Sequence, residues 1–347
     1  MPKLRETLKH LAENSATLTR DEARAALHEM LAGDASDIEI AALLTLLNTR
    51  GETVDELTGF AEAMRSLSVP IPLTDAERAE LVDTCGTGGG DRSTFNVSTG
   101  AALVAAAAGA KIAKHGNRSV TSQCGSADVL ETLGVAIALS PAQSVECLRA
   151  TGFMFLYSPA LHPAMKRVAL VRKALGFRTI FNLAGPLTNP AYAPVQVMGV
   201  AQYKQLPLAA EAMARLGVRH AFVVRGSDGL DEITVTTDST LAEVRDGTVA
   251  LYRTKPEDAG LQTGAYSELT GGDAAANAAV LERIFHGEKG PRRDIVLINA
   301  AAALLAAGLA GDLAEGVRLC AHAIDSGAVN RTLESIRAFS RTVQPSA

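Results

Sequence analysis

The sequence has no tryptophan, and aromatic residues make up only 4% of its 347 positions. So few aromatic faces argue against a base-stacking platform for single-stranded nucleic acid. Cysteine is scarce too. Cys85, Cys124, Cys147 and Cys320 form no CxxC pair, so metal-knuckle and dithiol readings have no support, and reduced thiols in a cytosolic protein are expected. Net positive charge is also missing. Thirty-three Lys and Arg face 38 Asp and Glu, a formal balance of -5. A protein that grips polyanions mainly by charge needs the opposite sign. One local basic pocket remains possible. No run of about 20 strongly apolar residues is present, and Met1–His10 lacks an apolar leader core, so neither a membrane span nor a secretory signal is expected. Cytoplasmic localisation follows as the expectation.

What is abundant is small. Glycine numbers 30, and alanine runs such as Val104–Ala108 and Ala300–Ala303 recur. Hydrophobic residues at 47% and charged residues at 20% fit a globular chain of one large domain or two.

The first seventy residues carry a helical signature. Thr19 with Glu22, Ser36 with Glu39 and Thr53 with Glu56 each form a capping-box pattern. Apolar residues follow at helical spacing, as in Ile40, Leu43, Leu44 and Leu47. Val69-Pro70-Ile71-Pro72 breaks the pattern and reads as a linker. Beyond it, strands and helices alternate. Strands are expected at Leu81–Asp83, Ala110–Ala113, Val195–Val200, His220–Val224, Ile233–Val235 and Thr248–Tyr252. Helices are expected near Ala127–Leu133, Ala142–Ala150, Leu206–Leu216, Ala274–Phe285 and Val296–Leu309. This alternation predicts an α/β domain with a central, largely parallel sheet flanked by helices.

Four segments can carry chemistry. Cys85–Thr99 places Gly86, Gly88, Gly89 and Gly90 between a strand and a helix. Backbone N–H groups there can approach an anion, and Ser98 or Thr99 can cap the helix. It matches neither a Rossmann nor a Walker pattern, and a turn needed only for packing is the alternative. Lys114–Ser122 follows the next strand. Lys114 supplies a point charge and Arg118 a planar fork, although a solvated basic turn would look similar. Two such loops at one end of a parallel sheet would suit a pyrophosphate-sized anion. Asp231 and Glu232 suit Mg2+, a hard cation. Alone, Ser227–Glu232 reads better as an exposed acidic turn. Finally, Pro163–Phe177 reads as a basic helix with Met165, Ala169 and Arg172 on one face. Arg172 can clamp a carboxylate, while Lys166, Arg167 and Lys173 read as solvated.

Taken together, these segments resemble the anthranilate phosphoribosyltransferases of tryptophan biosynthesis. The resemblance covers nearly the whole chain. It rests on Gly86–Thr99, Lys114–Ser122, Gly125-Ser126-Ala127-Asp128, His162–Arg172, Asn182–Pro190 and Asp231-Glu232. It implies a small helical domain (1–71), a hinge with the basic helix (about 162–190), and an α/β domain (72–161 and 191–347). It also implies transfer of phosphoribosyl from 5-phosphoribosyl 1-pyrophosphate to anthranilate, a requirement for Mg2+, and a homodimer joined through the helical domain. Nucleic acid and membrane are not implied as partners.

By resemblance, Gly86, Gly89, Gly90, Thr94, Asn96, Val97, Ser98 and Thr99 hold phosphoribosyl pyrophosphate. Lys114, His115, Gly116, Asn117, Arg118, Ser119, Val120, Thr121, Ser122 and Ser126 join them. Gly86, Asn117 and Arg172 bind anthranilate, and Ser98, Asp231 and Glu232 serve the metal. No residue is implied as an acid, base or nucleophile. One departure stands out: many members have Asp where this chain has Gly90, and here the carboxylate moves to Asp91. A pyrimidine nucleoside phosphorylase and a non-catalytic nucleic-acid-binding relative are the competing readings. The first differs at the Lys114–Arg118 motif. The second should be basic and lack Asn117 and Arg172.

Overall fold

The computed structural model describes residues 4–14, 16–89, 94–119 and 123–343. Four helices open the chain: α1 Leu4–Asn14, α2 Arg20–Ala32, α3 Asp37–Arg50 and α4 Val54–Ser66. The three expected capping boxes are all formed, at Thr19, Ser36 and Thr53. Each satisfies two N–H groups that a helix start otherwise leaves unbonded. Leu27, Met30, Ile40, Leu43, Leu47, Leu57 and Phe60 are fully buried, as their spacing requires.

The chain then runs through α5 Asp75–Ala79, β1 Leu81–Gly86, α6 Val97–Ala107, β2 Lys111–Gly116, α7 Ser126–Thr132, α8 Pro141–Thr151 and β3 Phe153–Tyr157. Helices α9 Ser158–Leu161, α10 Lys166–Leu175 and α11 Ile180–Ala184 bring it back against α2, α3 and α4. Next come β4 Val195–Gly199, α12 Gln205–Arg215, β5 His220–Gly226, β6 Ser239–Arg245 and β7 Thr248–Thr254. Helices α13 Ala274–Phe285, α14 Pro291–Ala306, α15 Leu313–Asp325 and α16 Ala328–Val343 follow.

The seven strands form one sheet in the order β3-β2-β1-β4-β5-β6-β7. β1 to β5 are parallel, and β6 and β7 add an antiparallel edge. Alternate residues of the central strands enter different cores. Phe222 and Val224 join α6 and α14 on one face, while Ala221 and Val223 join α2, α4 and α12 on the other. Burial on both faces explains why these strands read as continuous apolar runs.

The architecture agrees with the expected helical and α/β parts, and local differences have physical causes. Ile233–Val235 is not a strand. Its backbone is instead held by a side chain of α14, described below. β3 and β6 are strands that the sequence pattern does not mark. Phe153–Tyr157 is uniformly apolar and short, and such a run does not separate strand from helix by periodicity.

Candidate functional site

The chain leaves β1 toward β2 on one side, while β4 starts the other half of the sheet. The boundary between β1 and β4 is therefore a topological switch point, where parallel sheets form a crevice at their carboxyl ends. Glycines allow the crevice to close tightly. A Cβ on Gly199 would overlap the Asp231 carbonyl oxygen, 1.7 Å away, and one on Gly86 would stand 3.5 Å from Asp231 Oδ2. Gly88 and Gly89 have φ of 64° and 69°, a region that favours glycine. The Gly88 N–H is near enough to Asp231 to favour its charged form. The guanidinium of Arg178 lies directly over Gly89, where a Cβ would be 2.2 Å from Nη2.

Lys114, on β2, is buried. Its Nζ donates to the Thr84 carbonyl and lies 3.5 Å from Ser98 Oγ. The Ser98 N–H and the Lys114 ammonium are near enough to Glu232 to favour its charged form. Burial and the neighbouring Asp231 charge push the Glu232 carboxyl up to about 8, and burial likewise raises Asp231. Burial lowers the Lys114 ammonium, against the pull of Asp83, Cys85 and Glu232. Ser98 at the start of α6, Lys114 on β2 and Asp231-Glu232 in the loop after β5 are thus brought together.

This donor set fits Mg2+. Two crowded, half-buried carboxylates and a hydroxyl are all hard oxygen donors. Among the described residues there is no cluster of three or more His, Cys, Asp or Glu suited to an all-protein metal cage. Mg2+ ordinarily binds through one or two carboxylates together with substrate phosphates.

His115 follows Lys114 and points to the opposite face of the sheet, by strand alternation. There it meets His162, with ring centroids 5.1 Å apart. Both residues are buried, and neither Nε2 has a hydrogen-bond partner. Burial holds His115 well below its ordinary value and His162 at about 4, so both rings are neutral near pH 7. They line a cavity of about 370 Å³ together with Gly86, Asn117, Arg172 and Phe181. Met165, Ala169 and Arg172 share its wall, as the helical spacing anticipates. Arg172 Cζ sits 5.1 Å from the Phe181 ring centroid.

Other expected residues take more specific places. The N-cap of α6 is Asn96, not Ser98 or Thr99. Val97 and Thr99 are buried, and Thr99 Oγ1 has no partner. Thr94 enters the loop at the edge of the described segment. Gly116 leaves room for Ser126 Oγ, which donates to the Asn117 carbonyl. Arg118 is paired with Asp128 and Glu131 at 2.8 and 2.9 Å, so its fork is engaged by α7, the helix that follows the loop. Asp128 also accepts from the Ser119 and Gly125 N–H groups and shapes the turn. Gly90, Asp91, Val120, Thr121 and Ser122 lie outside the described residues.

Two family models match the chain: the helical bundle domain of a glycosyl transferase family over residues 5–68, and the a/b domain of the same family over residues 78–330. The anthranilate phosphoribosyltransferase of Symbiobacterium thermophilum is 48% identical over 98% of this chain and 99% of its own length. The chain belongs to the anthranilate phosphoribosyltransferase family. Among solved structures, anthranilate phosphoribosyltransferase from Thermus thermophilus aligns with a TM-score of 0.90 at 40% identity, over 98% of this chain and all of that one. The Saccharomyces cerevisiae anthranilate phosphoribosyltransferase in complex with PRPP and Mg aligns at 0.88 and 27% identity, over 98% of both chains.

Several residues around this site belong to no motif that sequence reasoning picks out. Arg178 is one. Asp83 is another: it is buried, and its Oδ2 accepts at 2.9 Å from Nδ2 of Asn189, an asparagine of the Asn182–Pro190 stretch, which also donates to the Ala113 carbonyl at 2.8 Å. Asn277 and Asn299 are the others, both buried on C-terminal helices. Their one signal is an amide set among alanines and aliphatics, a placement that requires hydrogen-bond partners.

Proposed function

We propose that this chain transfers the phosphoribosyl group of 5-phosphoribosyl 1-pyrophosphate to the amine of anthranilate. The products are N-(5-phosphoribosyl)anthranilate and pyrophosphate, and the reaction belongs to L-tryptophan biosynthesis. The observation that carries the reading is the convergence of Ser98, Lys114, Asp231 and Glu232 beside the cavity walled by Asn117 and Arg172.

Gly86, Gly89, Gly90, Thr94 and Asn96 through Thr99 hold the phosphoribosyl pyrophosphate, with Lys114 through Ser122 and Ser126. For Gly90, Val120, Thr121 and Ser122 this assignment rests on the resemblance alone. Gly86, Asn117 and Arg172 receive anthranilate. Ser98, Asp231 and Glu232 hold Mg2+, which when bound neutralises charge on the departing pyrophosphate.

The aromatic amine is already neutral at pH 7, so its lone pair is available without a strong base. The neutral His115 and His162 agree with a pocket that binds rather than titrates. Arg172 would pair the anthranilate carboxylate through its planar fork. Lys114 and the loop N–H groups stabilise charge that develops on the leaving oxygen. Holding the two substrates on either side of the crevice supplies proximity. No covalent intermediate is needed. Cys85 is an unsuitable nucleophile, because burial pushes its thiol well up.

The helical domain at 1–71, the hinge at about 162–190 and the α/β domain over the remainder form the working division of the chain. A homodimer through the helical domain is supported by Ile38 on α3 and Leu170 on α10, which are 81% and 75% exposed on helices that pack together. Cytoplasmic residence suits a biosynthetic enzyme. No helix among the described residues is long and apolar enough to cross a membrane.

The test follows anthranilate fluorescence on addition of phosphoribosyl pyrophosphate, with and without Mg2+. The reading predicts Mg2+-dependent loss of signal. Folded protein that leaves the signal unchanged would sink it.

A further inference from the structure

Asparagine is among the best helix N-caps, because its side-chain oxygen takes the N–H of the second or third helical residue. Asn96 stands at the N-cap of α6 yet makes no such bond. Its side chain is pulled elsewhere. Asn96 Oδ1 accepts from Asn277 Nδ2 at 2.9 Å and from Cys124 Sγ at 3.2 Å. Asn96 Nδ2 donates to the Cys124 carbonyl at 3.3 Å.

Asn277 is itself fixed. It lies on α13, is 2% exposed, and its Oδ1 accepts from the Gly272 N–H at 2.8 Å. The loop before α13 presses against the same region. A Cβ on Gly271 would lie 2.6 Å from Phe95 N and from the Thr94 carbonyl oxygen. One buried amide thus joins three segments: the 271–272 turn, the end of the glycine-rich loop, and the close of the loop that follows β2.

We infer that Asn277 is a positioning residue that keeps the N-terminus of α6 uncapped, and so open to the pyrophosphate. It does so by holding the Asn96 amide away from the Ser98 and Thr99 N–H groups. Without Asn277, the Asn96 side chain keeps only its longer contacts to Cys124 and can swing back to cap its own helix, occupying donors that an anion would otherwise take. Asn277 does not touch substrate. It acts through Asn96, and the inference rests on the phosphoribosyl-pyrophosphate reading above.

The test compares wild type with Asn277→Ala and Asn277→Asp. The Asp variant keeps the side-chain shape and the Gly272 bond but turns an acceptor toward Asn96 Oδ1, so it remains informative if the Ala variant folds poorly. Calorimetric titration with phosphoribosyl pyrophosphate and Mg2+ should show affinity weakened about tenfold in both, equivalent to one lost hydrogen bond of ordinary strength. The KM for anthranilate at saturating phosphoribosyl pyrophosphate should stay within about twofold of wild type. Unchanged phosphoribosyl pyrophosphate affinity, even with a lowered Tm, would overturn the inference. So would equal losses for both substrates, the signature of a general structural role. Wild-type protein that does not bind phosphoribosyl pyrophosphate would remove the functional reading itself, a result separate from any difference between variants.

Discussion

Asn299 forms a two-way hydrogen-bonded pair with the backbone of Ile233. Its Oδ1 accepts from the Ile233 N–H at 3.0 Å, and its Nδ2 donates to the Ile233 carbonyl at 2.9 Å. A third bond ties Nδ2 to the Ile295 carbonyl of the same helix at 2.8 Å. The residue before Ile233 is Glu232, so α14 fixes the acidic pair through one buried amide. Asn299→Leu keeps the volume but strands two buried backbone groups, at about 2–4 kcal/mol in total. Urea unfolding should register that loss. Turnover at limiting Mg2+ should fall more than turnover at saturating Mg2+. A stable variant with unaltered Mg2+ dependence would contradict this role.

Arg172 should determine anthranilate binding more than phosphoribosyl pyrophosphate binding. It lines the same cavity as His115, and its guanidinium lies over Phe181. Arg172→Ala should raise the KM for anthranilate about tenfold or more, on the order of a lost charged hydrogen bond. Arg172→Lys should rescue little, because a point charge does not replace a planar fork. Steady-state kinetics with each substrate varied in turn decides the matter. An unchanged anthranilate KM would exclude the assignment.

The neutral burial of His162 makes stability depend on pH. Burial lowers its value from 6.5 to about 4, so the unfolded chain takes up a proton before the folded one does. The stabilising contribution is complete above pH 6.5 and is lost as pH falls toward 4. His162→Gln keeps polar atoms but does not titrate. Between about pH 7.5 and 4.5, wild type should lose on the order of 2–3 kcal/mol more than this variant. Asp83 is present in both proteins, and His115, whose ring faces His162, stays well below its ordinary value through its own burial in each. Parallel urea midpoints at the two pH values would show that His162 is not held neutral by the fold.

Much of this arrangement is legible in the amino-acid sequence. The capping boxes at Thr19, Ser36 and Thr53 mark three helix starts, because their chemistry is local. The glycine-rich loop, Lys114 and the Asp231-Glu232 pair point to an anion and a hard cation, and the fold brings them together. Other features depend on distant pairing. Arg118 has the chemistry of a phosphate donor but meets Asp128 and Glu131 on the helix that follows its loop. Ser98 and Thr99 have the chemistry of caps, yet Asn96 holds the cap position, with its amide diverted by a residue 181 positions away. Ile233–Val235 reads as a strand because it is apolar and β-branched. It is buried like one, but Ile233 pairs with the side chain of Asn299. Partners so far apart in sequence leave no periodic trace.

The central claim is that Asp231 and Glu232, with Ser98 and Lys114, form the Mg2+-dependent phosphoribosyl pyrophosphate site. Calorimetric titration of phosphoribosyl pyrophosphate into wild type and into the Asp231→Asn, Glu232→Gln double variant, each with and without Mg2+, tests it most directly. The account predicts Mg2+-dependent binding in wild type and at least about tenfold weaker binding in the variant, with the Mg2+ dependence largely gone. Equal affinity and equal Mg2+ dependence in the two proteins would contradict it.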